Sequence, residues 1–506
     1  MARELPDSYL ILMADQLAAG WLPGYGHPVV MAPHLTELGR TGTVFESAYT
    51  PYPLCAPARA AMLTGRHASR IGVYDNAAEL RAGEPTAIHA LRAAGFQTAV
   101  TGKMHFVGPD QLHGFEERLT TDIYPADVDW TPDWSRPLDQ PLPWYHTMES
   151  VLTPGVSTAS MQTDYDEEVA FHAVRKLHDL GRGVDQRPFL LFVSFTNPHD
   201  PWEIPRRYWE RYRAEDIDDP AVPAIPLEQA DPHSRRLRAM CQVDEAALTP
   251  EQIRRARHGY YAAVSYLDDR IGEVLAALRA SGLEDRTTVL FTADHGEFLG
   301  ERGLWYKMSF LEPSARVPLI VRRPGVAGGR RVAEPVSLLD IAPTLLELAG
   351  LASDGVAGEG DGVSFAEALT SGESVPDHPI VCEYHAEGVQ APSAMIRSGD
   401  HKLIVSREDP ELLYDLASDP LELSPLNRDS VTADRLRRSL TDRLDLDEIG
   451  ARVRRSQRER HLVSRALRQG SYTSWDFQPR ADAAERYVRN REDLYELQRR
   501  ARLDEP

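Results

Sequence analysis

The chain has 506 residues, of which 42% are hydrophobic, so it can form a large buried core and more than one domain. Its formal net charge of −21 disfavours binding to nucleic acid or to an anionic membrane, because both are polyanions. The three cysteines, Cys55, Cys241 and Cys382, do not suggest a disulfide framework. No signal-peptide pattern opens the sequence, and the apolar residues 9–14 are too few to span a membrane. We therefore expect a cytoplasmic protein without a nucleic-acid or membrane partner.

Short apolar runs alternate with amphipathic segments over the first three quarters of the chain. In chain order they predict strand 9–14, helices 32–42 and 84–95, strands 96–100 and 188–195, helix 250–282, strands 287–293 and 317–321, and helix 337–350. Runs this apolar are typical of strands buried on both faces, as in parallel sheets. The pattern therefore predicts an α/β fold.

The sequence changes character at about residue 376. Strands are predicted at 378–385, 393–406 and 410–416, with tight turns between them, and an amphipathic helix follows at 431–444. From residue 451 the chain is rich in arginine and glutamate, with interspersed aromatic residues that indicate a docking tail. We predict a main domain at 1–375 that carries the active site, a small α+β subdomain at 376–450, and an oligomerisation tail at 451–506.

Polar residues follow four of the predicted strands at their carboxyl ends, where open α/β sheets place ligand sites. They are Asp15, Lys103 with His105, His199, and Asp294 with His295. Carboxylate oxygens suit Ca²⁺, Mg²⁺ or Mn²⁺, and imidazoles titrate near neutrality and can move protons. The sequence therefore predicts a metal site beside acid–base groups.

Residues 55–66 read CAPARAAMLTGR, which predicts a helix that Pro57 can start. Cys55 then lies at a helix N-terminus, where backbone N–H groups favour an anion. Arg59, one turn further, offers a planar charged fork suited to sulfate or phosphate. The alternative is an inert buried cysteine before an ordinary helix.

The Cys-x-Pro-x-Arg core with its Thr-Gly-Arg ending resembles the maturation signature of type I sulfatases in the alkaline phosphatase superfamily. The resemblance implies a large mixed, mostly parallel sheet sandwiched by helices, with a small C-terminal antiparallel sheet plus helix and an extended tail. It also implies that a formylglycine-generating enzyme oxidises Cys55 to formylglycine, which attacks sulfur to form a sulfo-enzyme intermediate. Ala58 occupies a position that is often serine, but the core of the signature is intact.

Further motifs resemble the same family: Asp294-His295-Gly296, Gly-Lys103-x-His105, Asn-Pro-His199-Asp and a late lysine, Lys307. The resemblance implies sulfate-binding cations, proton-transfer histidines and ligands for one divalent metal. By this resemblance the sulfate-binding cations are Arg59, Lys103 and Lys307, and the proton-transfer histidines are His105 and His199. The metal ligands are Asp15, Cys55, Asp294 and His295. Ca²⁺ is the expected metal, with Mn²⁺ and Mg²⁺ as alternatives, because Gln16 replaces the second carboxylate that many sulfatases carry.

Longer segments, including 102–127, 197–208, 300–319 and 474–479 of the tail, are similar to the choline-sulfatase family. This implies hydrolysis of choline O-sulfate to choline and sulfate by a homodimer or homotetramer. Aromatic faces and a carboxylate recognise quaternary ammonium groups best. The resemblance points to Trp130, His146 and Asn76 as substrate contacts, with Asp493 of the tail reaching the site from a neighbouring subunit.

Two alternatives from the sequence stay open. The first is a related formylglycine enzyme, either a phosphonate or phosphodiester hydrolase or a sulfatase of another alkyl or aryl ester. The second is a binding protein for choline esters whose Cys55 remains unmodified and which does not turn over.

Overall fold

The computed structural model describes residues 7–124, 126–137, 146–351, 360–372 and 374–469. Its strands are β1 Ser8–Ala14, β2 Thr43–Tyr49, β3 Gln97–Gly102, β4 Glu117–Arg118, β5 Gly155–Ser157, β6 Phe189–Ser194, β7 Glu203–Pro205, β8 Thr287–Ala293, β9 Arg316–Arg322, β10 Arg330–Val332, β11 Val336–Ser337, β12 Ile380–Tyr384, β13 Ser393–Ser398, β14 His401–Ser406 and β15 Leu412–Asp415. Its helices are α1 Pro33–Thr41, α2 Cys55–Thr64, α3 Ala68–Ile71, α4 Ala87–Ala93, α5 Glu149–Leu152, α6 Met161–Arg182, α7 Arg206–Trp209, α8 Pro232–Met240, α9 Val243–Ala246, α10 Pro250–Ala280, α11 Glu312–Ala315, α12 Ile341–Leu348, α13 Ala366–Thr370, α14 Val431–Thr441 and α15 Leu446–Leu467.

Among the described residues, the largest sheet has nine strands in the order β10-β2-β9-β8-β1-β6-β3-β4, with β11 also paired to β2. The pairs β8–β1, β1–β6, β6–β3 and β3–β4 are parallel, whereas β9 runs antiparallel to both of its neighbours. A mixed, mostly parallel sheet is the fold class that the sequence predicts, and the structure confirms it.

Both faces of the centre of this sheet are covered, because every residue of β1, β6 and β8 is buried. Helix α10 contacts both α1 and α6, of which α1 packs on β9 and α6 on β3 and β6, and α12 packs with α2 and α4. The side chain of Tyr9 in β1 donates a hydrogen bond to the carbonyl of Leu345 in α12, 3.1 Å away. In the part of the chain that the structure describes, no helix combines the length and the apolar character that a membrane span needs.

The second sheet confirms the predicted antiparallel C-terminal unit, with β12, β13, β14 and β15 in consecutive order. Helix α14 packs on β13 and β14. Helix α15 runs across the predicted limit at residues 450 and 451, so the first 17 residues of the predicted tail are helical. The rest of the tail, including Asp493, lies outside the described residues.

Candidate active site

The carboxyl ends of β1, β3, β6 and β8 lie side by side, since these strands are parallel neighbours in the sheet. This edge brings together the polar residues that the sequence places after those strands, with Cys55 of α2 among them. They are Asp15, Lys103, His105, His199, Asp294 and His295, all at most 6% exposed. Because the four strands are parallel neighbours, the polar residues that follow each of them lie together in one cluster.

Helix α2 begins at Cys55, two residues before Pro57, the start that the sequence predicts, and all of its ten residues are buried. Pro57 is tolerated in the first turn because an N–H group there has no partner within the helix. The backbone N–H of Ala56 donates to the side-chain oxygen of Asn76 at 3.0 Å. Cys55 therefore stands at the amino end of a helix that is fixed on all sides.

The Cys55 thiol is surrounded by groups that favour its ionised form. Its sulfur lies 3.2 Å from Nε2 of His295 and 3.9 Å from Oδ1 of Asp15. Burial opposes ionisation, but the positive charges of Lys103 and Lys307, followed by His295, hold the pKa of the thiol well below its usual range. A cysteine in such surroundings is reactive rather than inert, which argues against the alternative of a plain core residue.

Arg59 organises the two carboxylates at this edge. Its guanidinium lies 2.9 Å from Asp294 and 3.5 Å from Asp15, and it also donates to the hydroxyl of Ser194 at 2.7 Å. Lys103 forms an ion pair with Asp15 and lies 4.3 Å from the ring centre of Tyr124. Contact of Arg59 and Lys103 with sulfate oxygens stays a prediction.

The turn after β3 depends on a glycine. Gly102 has a φ of +101°, and a Cβ there would come 1.8 Å from the carbonyl oxygen of Ser194. Beyond it, the Asp122 carboxylate accepts the backbone N–H groups of Met104 and His105 at 2.9 and 2.8 Å. His105 itself has a φ of +58°, an uncommon conformation that marks functional sites more often than ordinary loops. Asp122 therefore positions His105, a role that no local sequence pattern indicates.

His199 and Lys307 form a hydrogen-bonded pair near Cys55. The ammonium of Lys307 donates to Nε2 of His199 at 3.0 Å and to Oε1 of Gln16 at 2.5 Å. Burial, followed by the charge of Lys307, lowers the pKa of His199 to about 3, so its imidazole is neutral at neutral pH. The other ring nitrogen faces Asp200, whose carboxylate is 3.2 Å away.

Gln16 connects this pair to the metal side of the site. Its Nε2 donates to Glu297 at 2.6 Å, and its Oε1 accepts from Lys307, so a carboxylate at position 16 would face Glu297 without that donor. Glu297 also accepts the backbone N–H of Tyr306 at 2.7 Å and thereby ties down the loop that carries Lys307. Gln16, which stands where many sulfatases have a carboxylate, thus orients both Lys307 and Glu297.

A cavity of about 320 Å³ opens in front of Cys55. The predicted substrate contacts Asn76, Trp130 and His146 line it, together with Tyr124 and the carboxylate-bearing Glu387. Three of these lining residues carry rings that contact a second ring. The rings of Tyr124 and Trp130 are 5.5 Å apart, and His146 stacks at 4.2 Å on Tyr306, which lies behind it. The structure therefore brings three of the four predicted substrate contacts to one cavity, and the fourth, Asp493, lies outside the described residues.

Glu387 is a residue that the sequence analysis missed. It follows β12 of the small sheet, is 3% exposed, and its Oε2 has no hydrogen-bond partner among the described residues. Burial, reinforced by the charge of Asp75, raises the pKa of Glu387 to about 8. The only local signal is its place just after the predicted strand 378–385, within the sequence His-Ala-Glu-Gly.

The residues predicted to bind metal fit a divalent cation. The ligand atoms of Asp15, Cys55, Asp294 and His295 all lie within 4.8 Å of one another, and all four residues are buried. Two carboxylates supply hard oxygen donors, while the thiol is a soft donor that replacement by an oxygen-bearing group would harden. The preferred metal therefore depends on the chemical state of residue 55.

Comparisons with known proteins define the class. The family model described as Sulfatase matches residues 7–351. Two others, described as N-sulphoglucosamine sulphohydrolase, C-terminal, and Choline sulfatase enzyme C terminal, match residues 300–448 and 451–503. The chain belongs to the sulfatase family and is a sulfuric ester hydrolase, and the family implies a formylglycine-dependent site with a divalent metal.

Among curated relatives, choline-sulfatase of Rhizobium meliloti is 46% identical over 500 residues, which cover 97% of each chain. Arylsulfatase K of Danio rerio is 30% identical and covers 79% of this chain and 76% of its own. A solved phosphonate monoester hydrolase of Agrobacterium radiobacter has a TM-score of 0.68 at 24% identity, covering 88% of this chain and 96% of its own. A solved structure of a 2-O GAG sulfatase has a TM-score of 0.68 at 22% identity, covering 90% of this chain and 94% of its own. These two structures establish the fold alone.

Proposed function

We propose that the protein hydrolyses choline O-sulfate to choline and inorganic sulfate. The observation that carries this proposal is the cavity in front of Cys55, whose walls combine aromatic rings with the buried carboxylate of Glu387. Ring faces and a carboxylate are the groups that attract a quaternary ammonium. The 46% identity to a choline-sulfatase supports the same substrate.

The direct test measures sulfate release from choline O-sulfate beside p-nitrophenyl sulfate and a phosphonate monoester. The proposal expects the highest kcat/KM for the choline ester. Preference for the phosphonate would favour the phosphonate hydrolase alternative that the sequence leaves open, and preference for the aryl ester would leave a sulfatase without the choline pocket.

The position of Cys55 at the amino end of α2 supports its role as the precursor of the nucleophile. Residue 55, once converted to the formylglycine of the family, would present its oxygen to sulfur at the closed end of the cavity. A divalent cation held by Asp15, Asp294 and His295 would polarise the ester and lower the pKa of the nucleophile. Arg59 keeps both carboxylates oriented, while Lys103 and Lys307 provide positive charge for the sulfate oxygens.

Proton transfer to the departing choline oxygen falls to Lys307 with His199. An alkoxide is a poor leaving group, so protonation during bond cleavage lowers the barrier. His199 is neutral in the free site and accepts from Lys307, which makes the ammonium the initial proton source. His105, whose ring nitrogens have no hydrogen-bond partner among the described residues, remains the proposed base for releasing sulfate.

Replacing Glu387 with glutamine should raise KM for choline O-sulfate by about 10- to 100-fold, because the ammonium loses its counter-charge. The pKa of Glu387 is about 8 in the protein without substrate, and a bound cation favours the ionised carboxylate. Binding of the choline ester should therefore strengthen as pH rises toward 8, and the E387Q variant should lose this dependence. Steady-state kinetics from pH 6 to 9 measure both effects.

The neutral-pH rate on p-nitrophenyl sulfate is the control, because that substrate has no cation, and it should change by less than about 3-fold in E387Q. Glu408, an acidic residue outside the cavity, provides a matched variant, E408Q, that should keep the wild-type profile. Equal losses on both esters in E387Q would contradict a role in choline recognition.

We propose Ca²⁺ as the metal, with Mn²⁺ and Mg²⁺ as alternatives, bound by the cluster of residues 15, 55, 294 and 295. Metal added at 100 times its Kd to chelator-treated protein should stabilise it by about 2.7 kcal/mol, visible as a higher Tm. The Asp294→Asn variant should lose most of this gain because it replaces a charged carboxylate ligand with a neutral amide. A metal-independent Tm would argue against a bound cation.

The remaining expectations complete the proposal. A formylglycine-generating enzyme would mature Cys55 in a cytoplasmic protein. The tail at 451–506 would join subunits into a homodimer or homotetramer, with Asp493 reaching a neighbouring cavity. The match of residues 451–503 to the choline sulfatase C-terminal model supports a shared role for this segment.

A further inference from the structure

Helix α15 lies against the segment that forms one wall of the cavity. Side chains of this helix, and of Arg468 just after its end, contact residues 129–134, which surround Trp130. These contacts include Gln457 to the N–H of Trp134 at 3.1 Å, His461 to the carbonyl of Pro132 at 3.1 Å, Ser464 to Asp129 at 2.7 Å and Arg468 to Asp129 at 2.9 Å. The wall therefore depends on residues that the sequence assigns to the tail.

Arg460 adds a second segment to this arrangement. Its guanidinium donates two hydrogen bonds of 2.6 Å to the carboxylate of Asp75 and a third of 3.0 Å to the hydroxyl of Thr131. The side chain of Asp75 is 0% exposed and that of Arg460 is 11% exposed. A two-pronged pair this well buried has both strength and fixed geometry.

Each partner of Arg460 is the chain neighbour of a residue in the cavity wall. Asp75 precedes Asn76, which lines the cavity and accepts the N–H of Ala56 at the start of α2. Thr131 follows Trp130, which also lines the cavity. One guanidinium therefore fixes the spacing between the wall that supports the nucleophile helix and the wall that carries the indole.

We infer that Arg460 is a positioning residue that sets this spacing and so determines selectivity for the ammonium end of the substrate. The inference rests on the proposed function, in which that end lies against Trp130. Without Arg460, the backbone N–H of Ala77, at 3.0 Å, is the one hydrogen-bond donor left to the buried carboxylate of Asp75 among the residues that the structure describes. An uncompensated buried charge draws in water or moves, and Asn76 would move with it.

The test compares Arg460→Met and Arg460→Lys with the wild type on choline O-sulfate and p-nitrophenyl sulfate. R460M should lose about 10- to 100-fold in kcat/KM on the choline ester, mainly through KM, and less than about 3-fold on the aryl ester. R460K keeps the positive charge but not the planar fork, so its kcat/KM on the choline ester should lie between those of the wild type and R460M. Arg458→Met, at an exposed arginine of the same helix, is the matched control and should leave both substrates unchanged.

Hydrogen exchange provides a readout that does not depend on the substrate. Amides at 74–77 and 128–134 should exchange faster in R460M, with unchanged exchange in the central strands. If R460M does not fold, the double variant Asp75→Asn/Arg460→Gln removes both charges and keeps the shapes, and it should show the same selective loss.

The outcomes separate the two claims. A wild type without preference for choline O-sulfate overturns the proposed function, and the positioning role is then decided by hydrogen exchange alone. A wild type that prefers the choline ester, with variants that lose both substrates equally or neither, overturns the role of Arg460 and leaves the proposed function intact. Unchanged hydrogen exchange at 74–77 and 128–134 in R460M also overturns the positioning role of Arg460.

Discussion

Cys55→Ser should lose multiple-turnover sulfatase activity by about 10⁴- to 10⁶-fold, the size of effect seen when a covalent nucleophile is removed. A serine has one hydroxyl, so a sulfate ester formed on it has no second oxygen from which sulfate can be expelled. The variant should therefore accumulate at most one sulfate per subunit. Intact-protein mass spectrometry after incubation with choline O-sulfate measures this directly, beside the rate of choline release.

Cys382→Ala is the matched control for the cysteine variant. Both thiols are buried, but burial raises the pKa of Cys382, whereas the cations around Cys55 lower the pKa of its thiol. Cys382 lies in β12, outside the cavity, and its variant should keep wild-type kinetics. Wild-type protein with an unmodified thiol at position 55 and full activity, or a C55S variant that turns over repeatedly, would contradict the aldehyde mechanism.

The fold was predictable where hydrophobic periodicity is strong and local. The strands that became β1, β6 and β8 are short, mostly apolar runs without charged residues, and β8 was predicted with its observed limits, Thr287–Ala293. Helix α15 was missed because its many charged residues resemble a solvated tail. Its buried positions Leu446, Ile449, Val453 and Gln457 nevertheless follow helical spacing. Charge content masked a periodic face that was present in the sequence.

The site divides in the same way. Residues that follow strands or lie in the cysteine motif could be found from sequence, because parallel strands bring their carboxyl ends together. Glu387 and Arg460 could not, because both belong to the C-terminal region: Glu387 lines the cavity beside Cys55, and Arg460 supports its wall through Asp75, more than 300 residues away along the chain. No local pattern encodes such a contact. It exists only once the small sheet and α15 have packed on the main domain.

Lys307→Met should reduce kcat for choline O-sulfate by about 10³-fold but kcat for p-nitrophenyl sulfate by only about 10-fold. Both esters lose a positive charge beside the sulfate. The choline ester also loses the proton source for its alkoxide, whereas nitrophenolate is stable enough to leave unprotonated. The ratio of the two losses therefore measures the proton-donating role separately from the electrostatic one.

The geometry around Lys307 makes this variant interpretable. The backbone of its loop is held independently by Glu297, which accepts the N–H of Tyr306, so removing the ammonium should leave the loop in place. Lys176, a partly buried lysine that pairs with Glu117 and does not line the cavity, supplies the control variant K176M. Lys307→Arg should restore most of the aryl rate but less of the choline rate, because a guanidinium keeps its charge and releases its proton poorly. Equal losses on both esters in K307M would assign the proton to another group and leave Lys307 only an electrostatic role.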